Sequence, residues 1–598
     1  METAHPCSSG PKLSPSQRGV QLGDPLGPLL FSLALHRAVA RVRLRAETEC
    51  PGRLDFAVFY LDDGIVAGPE PAVSWFVNAL EVELDTMGLK MNVSKCVATP
   101  SAGPASSVTP TSFPGWKWND SQSTKILGAA VGSAAFSTGL VRRRRQKVAP
   151  LFSALRELND IQSGFLLLRA CGSYSKLLYN IRTSPTESIA GELGEFDQDL
   201  RRCFSALTRL APDDKEWARI QRSTGTGGLG LRSVRQHAHA AFLSSVIGSS
   251  NLQCAIWPSL TAADVLAEPA IQNALVAIAP CLPRSLALSL ANGDPVPQKH
   301  LSRAIDRMLA DAELRDPSTP QHMKAHLQLC SAAGADAWLH AAPNREAGTE
   351  MDSELFRLSL ARRARIRLLD NFAVCQCCGV ALDAYMDHAL VCPCGGERTL
   401  RHNALRDGTY IDAKEAGVQC EREKQGLLPP RPSDEAIKGE TSTQGRRPAD
   451  IWLAHWDANT AGAVDFAVSS GLRSDHIAMS ADSPSAIWGH YEDFKRNYLN
   501  TEEACSGQGL SFLPFVVEAH GGGLGPTARR VVGHLAKHAA AREGEAPEVS
   551  AASIVRRISI STHRENARAI LRRLPSGAPT PPAPAPEAWG EDDPMSWQ

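Results

Sequence analysis

The sequence lacks any long hydrophobic run. Nowhere do its 598 residues approach the roughly 20 consecutive apolar residues of a membrane-spanning helix, and no charged-then-apolar leader opens it. Neither a membrane protein nor a secreted one is expected. Excess charge is missing too: 63 Lys and Arg stand against 64 Asp and Glu, a formal net charge of -1. That balance is unusual for a nucleic-acid binder. A disulfide framework is also absent, because the 15 cysteines are scattered except for one cluster. An intracellular, reducing setting with clustered cysteines on a metal fits better, nuclear if the protein acts on a genome. What remains is the composition of a globular chain, 43% hydrophobic and 21% charged, long enough for roughly three or four domains.

Charge is concentrated locally. Arg142-Arg143-Arg144-Arg145-Gln146-Lys147 and Arg362-Arg363-Ala364-Arg365-Ile366-Arg367 offer phosphate contacts whatever the net charge, or else solvated helix faces. Residues 1–18 and the Pro/Ala-rich tail 575–598 are expected to be disordered.

Phe56-Ala57-Val58-Phe59-Tyr60 reads as a buried strand running through Leu61 into Asp62-Asp63-Gly64, with a tight turn at Gly64. Adjacent carboxylates at a hairpin tip offer oxygen ligands to hard divalent cations, and a solvated Asp-Asp-Gly turn gives the same pattern. Upstream lies Gly19-Val20-Gln21-Leu22-Gly23-Asp24-Pro25-Leu26-Gly27-Pro28, and downstream lie Gly88-Leu89-Lys90-Met91-Asn92 and Lys95. In this order the three segments resemble palm motifs B, C and D of reverse transcriptases, especially those of non-LTR retroelements. The resemblance implies that Asp62 and Asp63 hold Mg²⁺ or Mn²⁺ for nucleotidyl transfer. It also implies that Gln21, Gly23, Asp24 and Pro25 lie along template and incoming nucleotide, and that Lys95 is the motif D lysine. Thr124-Lys125-Ile126-Leu127-Gly128-Ala129-Ala130-Val131-Gly132 reads as a short buried strand, and resembles the Leu-Gly hairpin that grips the primer in the family. Family members carry a third carboxylate, on motif A, well before motif B. Met1 to Arg18 contains Glu2 as its only acid and no strand-like run. Polymerisation is therefore not expected of this chain unless a complementing reverse transcriptase chain completes it.

From about 140 to 370 the apolar spacing turns helical, as in Leu151-Phe152, Leu155, Leu158, Ile161 and Phe165. The glycine-rich segment Gly225 to Gly230 has no preceding strand and no following Lys-Ser/Thr, so it reads as a structural turn rather than a phosphate loop. Then Cys375-Gln376-Cys377-Cys378-Gly379 is followed by Asp387-His388-Ala389-Leu390-Val391-Cys392-Pro393-Cys394. Cys-x2-Cys with His-x3-Cys supplies three thiolates and one imidazole, a tetrahedral set for Zn²⁺. Cys377 and Cys394 are alternative ligands. The set Cys375, Cys378, His388 and Cys392 resembles the knuckle of non-LTR elements that carry a restriction-enzyme-like endonuclease. His402, in the Arg401-His402-Asn403 that follows, reads as an exposed or structural histidine.

Beyond the knuckle, Asp450 opens the apolar run Ile451-Trp452-Leu453, and Asp465 sits inside Gly462-Ala463-Val464-Asp465-Phe466-Ala467-Val468. An acid buried in a strand is costly without a partner or a metal, so the two carboxylates are candidate ligands of a divalent ion that orients an attacking water. A plain strand-end role for Asp450 gives the same local pattern. The segment resembles the PD-(D/E)xK nuclease fold. The family's lysine normally stands two residues after the second acid, where this chain has Ala467; Lys495, with Tyr498 beyond it, is the candidate replacement, or else a solvated helix lysine. Glu518 is a candidate auxiliary acid.

Together these readings imply an α+β multidomain protein: a partial palm over 19–139, a helical thumb/connection region over 140–370, a zinc knuckle over 371–405 and a restriction-endonuclease-like domain over 406–574. The resemblance implies a truncated non-LTR retrotransposon frame with DNA and RNA as partners. It is expected to act as a metal-dependent DNA endonuclease with a silent polymerase half. The competing expectations are an inert nucleic-acid-binding relic and a polymerase completed in trans.

Overall fold

The computed structural model describes residues 24–100, 110–430, 446–457 and 460–574. Gln21, Gly23 and the two termini expected to be disordered lie outside the described residues.

The Asp24-Pro25 turn feeds α1 (Gly27–Glu49): Leu26 N donates to Asp24 Oδ1 at 2.9 Å and Gly27 N to the Asp24 carbonyl at 3.0 Å. Pro28 is tolerated because first-turn N–H groups have no helical acceptor. Leu35, Ala38, Val39 and Val42 recur three to four residues apart and pack on Phe76, Ala79, Leu80 and Leu84 of α2 (Glu70–Thr86). The antiparallel hairpin of β1 (Phe56–Tyr60) and β2 (Asp63–Ala67) joins this cluster through Ala57, the one fully buried residue of β1. Two expectations are corrected here. β1 is largely half-buried, and the turn is Leu61-Asp62, since Tyr60 pairs with Asp63. Leu61 adopts a φ of 54°, which the right-handed twist of a two-residue hairpin favours. Gly64 lies within β2 opposite Phe59, whose ring fills the place a Cβ would take.

β3 (Val97–Ala98) pairs in parallel with β4 (Lys117–Trp118). The segment likened to a Leu-Gly hairpin is one, β5 (Thr124–Ile126) and β6 (Ala129–Val131), but it is not the buried strand expected, having no fully buried residue. Leu127 and Gly128 turn it with φ of 48° and 88°.

The middle of the chain is helical and includes α3 (Ala134–Gln146), α4 (Thr186–Thr208), α5 (Val234–Gly248), α6 (Gln321–Cys330) and α7 (Ser353–Ala364). Its two basic runs are mostly engaged within the fold. Arg142 and Arg145 pair with Glu192 on α4 at 2.8 and 3.4 Å, and Arg145 reaches Glu195 at 3.2 Å. Arg362, Arg363 and Arg365 are buried. Arg363 donates to the carbonyls of Thr224 (2.7 Å), Ala335 (2.9 Å), Gly228 (3.0 Å) and Cys330 (3.1 Å), which clamps the glycine-rich turn against α6. A planar fork of donors meeting several carbonyls is what lets a guanidinium be buried. Gly228 leaves no room for a Cβ against the Arg222 carbonyl, so the segment is a packed turn.

After α8 (His388–Val391) and α9 (Glu397–Glu415) comes a four-stranded sheet of order β10-β9-β8-β7. β7 (Cys420–Arg422), β8 (Ile451–Leu453) and β9 (Ala461–Ser469) are antiparallel, and β10 (Leu510–Glu518) runs parallel to β9. α10 (Pro484–Asn497) covers the face bearing Ala467 and Val516. α9 and α11 (Pro526–Glu543) cover the face bearing Val464 and Phe466. The last helix, α12 (Pro547–Leu571), joins two cores: Ile554 and Ile558 pack with the sheet, while Ile560, Ala567 and Ile570 pack with Phe356, Leu390 and Cys392. The protein is thus α+β, and no helix among the described residues is long and apolar enough to cross a membrane.

Candidate metal centres

The knuckle is built by one turn and one short helix. Cys375 N donates to the Val380 carbonyl and Gly379 N to the Cys375 carbonyl, both at 2.8 Å, with Gly379 at φ 72°. Asp383 accepts from the N–H groups of Tyr385, Asp387 and His388 and so starts α8, which places His388 and Cys392 one turn apart. The donor atoms of Cys375, Cys378, His388 and Cys392 all lie within 4.8 Å of one another. Cys377 and Cys394 stand outside this group: Cys377 is exposed, and the Cys394 carbonyl accepts from Arg573. Sγ–Sγ separations of 3.9 Å (Cys375–Cys392) and 3.7 Å (Cys378–Cys392) suit two thiolates on one zinc, which at bonds of about 2.3 Å stand roughly 3.8 Å apart. The cluster is therefore arranged to hold a metal ion such as zinc.

A second group, His326, Cys330 and His520, is wholly buried where the loop after β10 meets α6 and α7. His326 Nδ1 and His520 Nε2 are 2.6 Å apart. Two imidazole nitrogens on one zinc would stand roughly 3.3 Å apart, so 2.6 Å marks a hydrogen bond. The guanidinium of Arg362 can only donate to His520 Nδ1, so His520 Nε2–H donates onward to His326. The group is a latch, and burial holds both imidazoles well below the usual histidine range. Burial also pushes nearby His563 down to about 3 from the ordinary 6.5. Groups held neutral in the fold but protonated when unfolded contribute stability that is present above about pH 6.5 and is lost as pH falls toward the folded value. The melting temperature is expected to fall by several degrees between about pH 7 and about pH 4. That slope should flatten in His563→Phe, which scanning calorimetry across pH checks.

A pair of carboxylates lies at the sheet; together with His402 it does not bring three ligand atoms within 4.8 Å of one another. Asp450 immediately precedes β8 and Asp465 lies within the neighbouring antiparallel β9, with Asp450 N donating to the Val464 carbonyl at 2.9 Å. Asp450 Oδ2 accepts from Phe466 N at 2.8 Å, and its Oδ1 stands 3.4 Å from His402 Nε2 on α9. Lys495 Nζ on α10 donates to Asp465 Oδ2 at 2.7 Å. Ala467, two residues after Asp465 on the same strand face, packs against Ile487 and Trp488 of α10. A lysine there would lie in an apolar contact, whereas two turns beyond Trp488 the same helix presents Lys495 to the carboxylate. Glu492 fixes the helix by accepting from Thr527 N (3.0 Å) and Thr527 Oγ1 (2.7 Å) at the start of α11. Burial pushes both carboxyls up. For Asp450 the bonds from His402 and Phe466 outweigh it and leave the group below the usual range. For Asp465 burial wins over Lys495, and the charge of Asp450 adds to the rise. Its side chain keeps 18% exposure and that of Lys495 24%, so solvent reaches the pair.

Neither a family model nor a curated protein matches this chain.

The remaining expected site residues are dispersed. Asp62 and Asp63 are exposed and belong to no group of three candidate ligands among the described residues. Lys95 closes an exposed 3-10 turn (Val93–Lys95), and no hydrogen bond or ion pair joins it to Asp62 or Asp63. Asp24 and Pro25 form the turn into α1. Glu518 is corrected from auxiliary acid to loop anchor: its carboxylate accepts from Gly471 N, His520 N and Gly521 N, and it is buried. Tyr498 caps α10 and faces Phe494. The sequence reading missed His402, placing it beside the knuckle. Its neighbour Arg401 does bind the knuckle side, through the Leu390 carbonyl and Asn566, while His402 faces Asp450.

Proposed function

We propose that this protein hydrolyses DNA strands with Mg²⁺ or Mn²⁺ at the site of His402, Asp450, Asp465 and Lys495. The observation that carries the reading is the lysine that α10 places 2.7 Å from Asp465 of β9, beside the backbone of Asp450 at the start of β8. Asp450 Oδ1 and the Asp465 carboxylate are hard oxygen donors suited to such an ion, and Asp465 is a half-buried carboxylate with Lys495 as its partner. A divalent ion bound there supplies a Lewis acid beside the scissile phosphate and a more acidic water. His402 orients Asp450. Lys495 donates to Asp465 in the resting site and is placed to donate to a phosphate oxygen as charge builds on it. The palm-like hairpin, the knuckle and this sheet follow one another in the order that supports a protein of the non-LTR retroelement type.

Purified zinc-loaded protein is expected to convert supercoiled plasmid to nicked circles with Mn²⁺ or Mg²⁺ and not with excess chelator. DNA binding without any cut under Mn²⁺ would hand the chain to the reading of an inert nucleic-acid binder.

A further inference from the structure

The helix that delivers Lys495 also carries a row of aromatic rings. Ile487 and Trp488 of α10 are buried against the sheet, and half-buried Tyr491 packs beside them. Past that core the same stripe stays aromatic instead of turning polar. Phe494 and Tyr498 follow at spacings of three and four residues, 51% and 52% exposed. The rings are in contact, with centroids 5.7 Å (Tyr491–Phe494) and 5.6 Å (Phe494–Tyr498) apart. At 3.6 residues per turn, Tyr491, Phe494, Lys495 and Tyr498 share an arc of about 100°. The row therefore stands beside the ammonium that reaches Asp465 at 2.7 Å.

Scattered exposed apolar side chains are ordinary, but contiguous open rings at the edge of a charged site mark a contact for something flat and apolar. The acids nearby are taken up elsewhere. Arg496, which the helix turns away from this arc, pairs with Asp493 and Glu502 at 3.3 and 3.4 Å, and Glu492 is buried on Thr527. That leaves Lys495 as the charge within the arc, and its sign suits a phosphate. Behind the row, Leu499 and Asn500 both take left-handed backbone, with φ of 53° and 52°. Thr501 Oγ1 donates to the Tyr498 carbonyl at 2.6 Å. Such backbone is costly for leucine and recurs at ligand clamps.

We propose that Phe494 and Tyr498 stack the unpaired bases of a DNA strand whose phosphate lies at Lys495, so that the site takes single-stranded rather than paired DNA. The inference rests on the nuclease reading of this site and names its substrate. Every base has a flat face that lies well on an aromatic ring, whatever the sequence. In a duplex those faces are already stacked on one another, which leaves the rings nothing to hold.

Fluorescence anisotropy of labelled oligothymidylate, with the full, zinc-loaded chain and no added Mg²⁺ or Mn²⁺, tests the row apart from cleavage. The strand is expected to bind roughly tenfold or more tighter than one of equal length whose central links are abasic. Phe494→Ala and Tyr498→Ala should each remove roughly tenfold of that affinity. Phe494→Leu, which keeps apolar bulk without a ring, should do the same, and Phe494→Trp should retain it. None of the four should change the affinity for the abasic strand or for a duplex. Both side chains are half-exposed, so the variants are compared at an unchanged melting temperature. Equal affinity for the base-bearing and abasic strands, or full affinity in Phe494→Leu, would overturn the inference. So would self-association that Phe494→Ala abolishes without any base dependence, since the row would then join two copies of the chain. Base-dependent binding without plasmid nicking would support the row and fail the nuclease reading. Nicking without base dependence would fail the row and leave the nuclease standing.

Discussion

Asp465→Asn is expected to slow divalent-dependent plasmid nicking by on the order of a thousandfold or more, while DNA affinity changes little. The substitution keeps the size of the side chain but removes the charge from a carboxylate held inside β9, 2.7 Å from Lys495. With that charge gone the site loses one of its two hard donors, and the ammonium of Lys495 loses its partner. Lys495→Ala should also slow cleavage, by roughly two to three orders of magnitude, the cost of one positioned stabilising group. Rising Mn²⁺ separates the two roles. It should recover part of the rate in Asp465→Asn, whose defect is in holding the ion, and none in Lys495→Ala. Single-turnover nicking across a Mn²⁺ series reads both. Equal recovery in the two variants would contradict the assignment of ligand and phosphate contact.

Loss of the knuckle metal should be felt far beyond the knuckle. Cys375, Cys392, Met386 and Leu390 belong to the same core as Trp338, Phe356 and the α12 residues Ala567 and Ile570. Arg573, at the end of α12, donates to the Cys394 carbonyl and to Glu397, both at 2.8 Å. Arg365 grips Asp387, the residue before the ligand His388, at 3.0 and 2.7 Å, and Arg362 bridges Asp387 to His520. About one zinc per chain should co-purify, and the Cys378→Ser, His388→Ala double variant should lose it. Small structural zinc modules gain about 10–16 kcal/mol from their metal, so the loss should raise amide exchange over 370–405 and also over α12. Cys377→Ser, at an exposed position outside the cluster, should keep the metal. Full zinc content in the double variant would refute the ligand set, and exchange confined to 370–405 would refute the shared core.

What could be read in advance was what is local. The knuckle spacing fits within a few turns of chain, so the four residues that the fold gathers were legible, the resemblance already favouring them over Cys377 and Cys394. Asp465 stood out because an acid inside Val464–Val468 has no local reason to be there. The apolar run Phe56–Tyr60 marked a strand, but the turn was misplaced because Gly64 answers to the ring of Phe59 across the hairpin, not to the turn. His402 and Arg362 were misread for a similar reason. Their partners Asp450 and His520 arrive from other elements, the second 158 residues away, and no periodicity in α7 or α9 announces them. The run Arg362–Arg367 resembles a solvent-facing basic patch in composition, and only the carbonyls converging on Arg363 reveal it as interior.

On the proposed function, Asp450 and Asp465 together form a divalent-cation site. Manganese binding followed by electron paramagnetic resonance, on zinc-loaded wild-type protein and the Asp450→Asn, Asp465→Asn double variant, tests it most directly. Wild-type protein should remove Mn²⁺ from the free signal at a site that the double variant lacks, with melting temperatures close together. Equal Mn²⁺ binding by the two proteins would contradict the account.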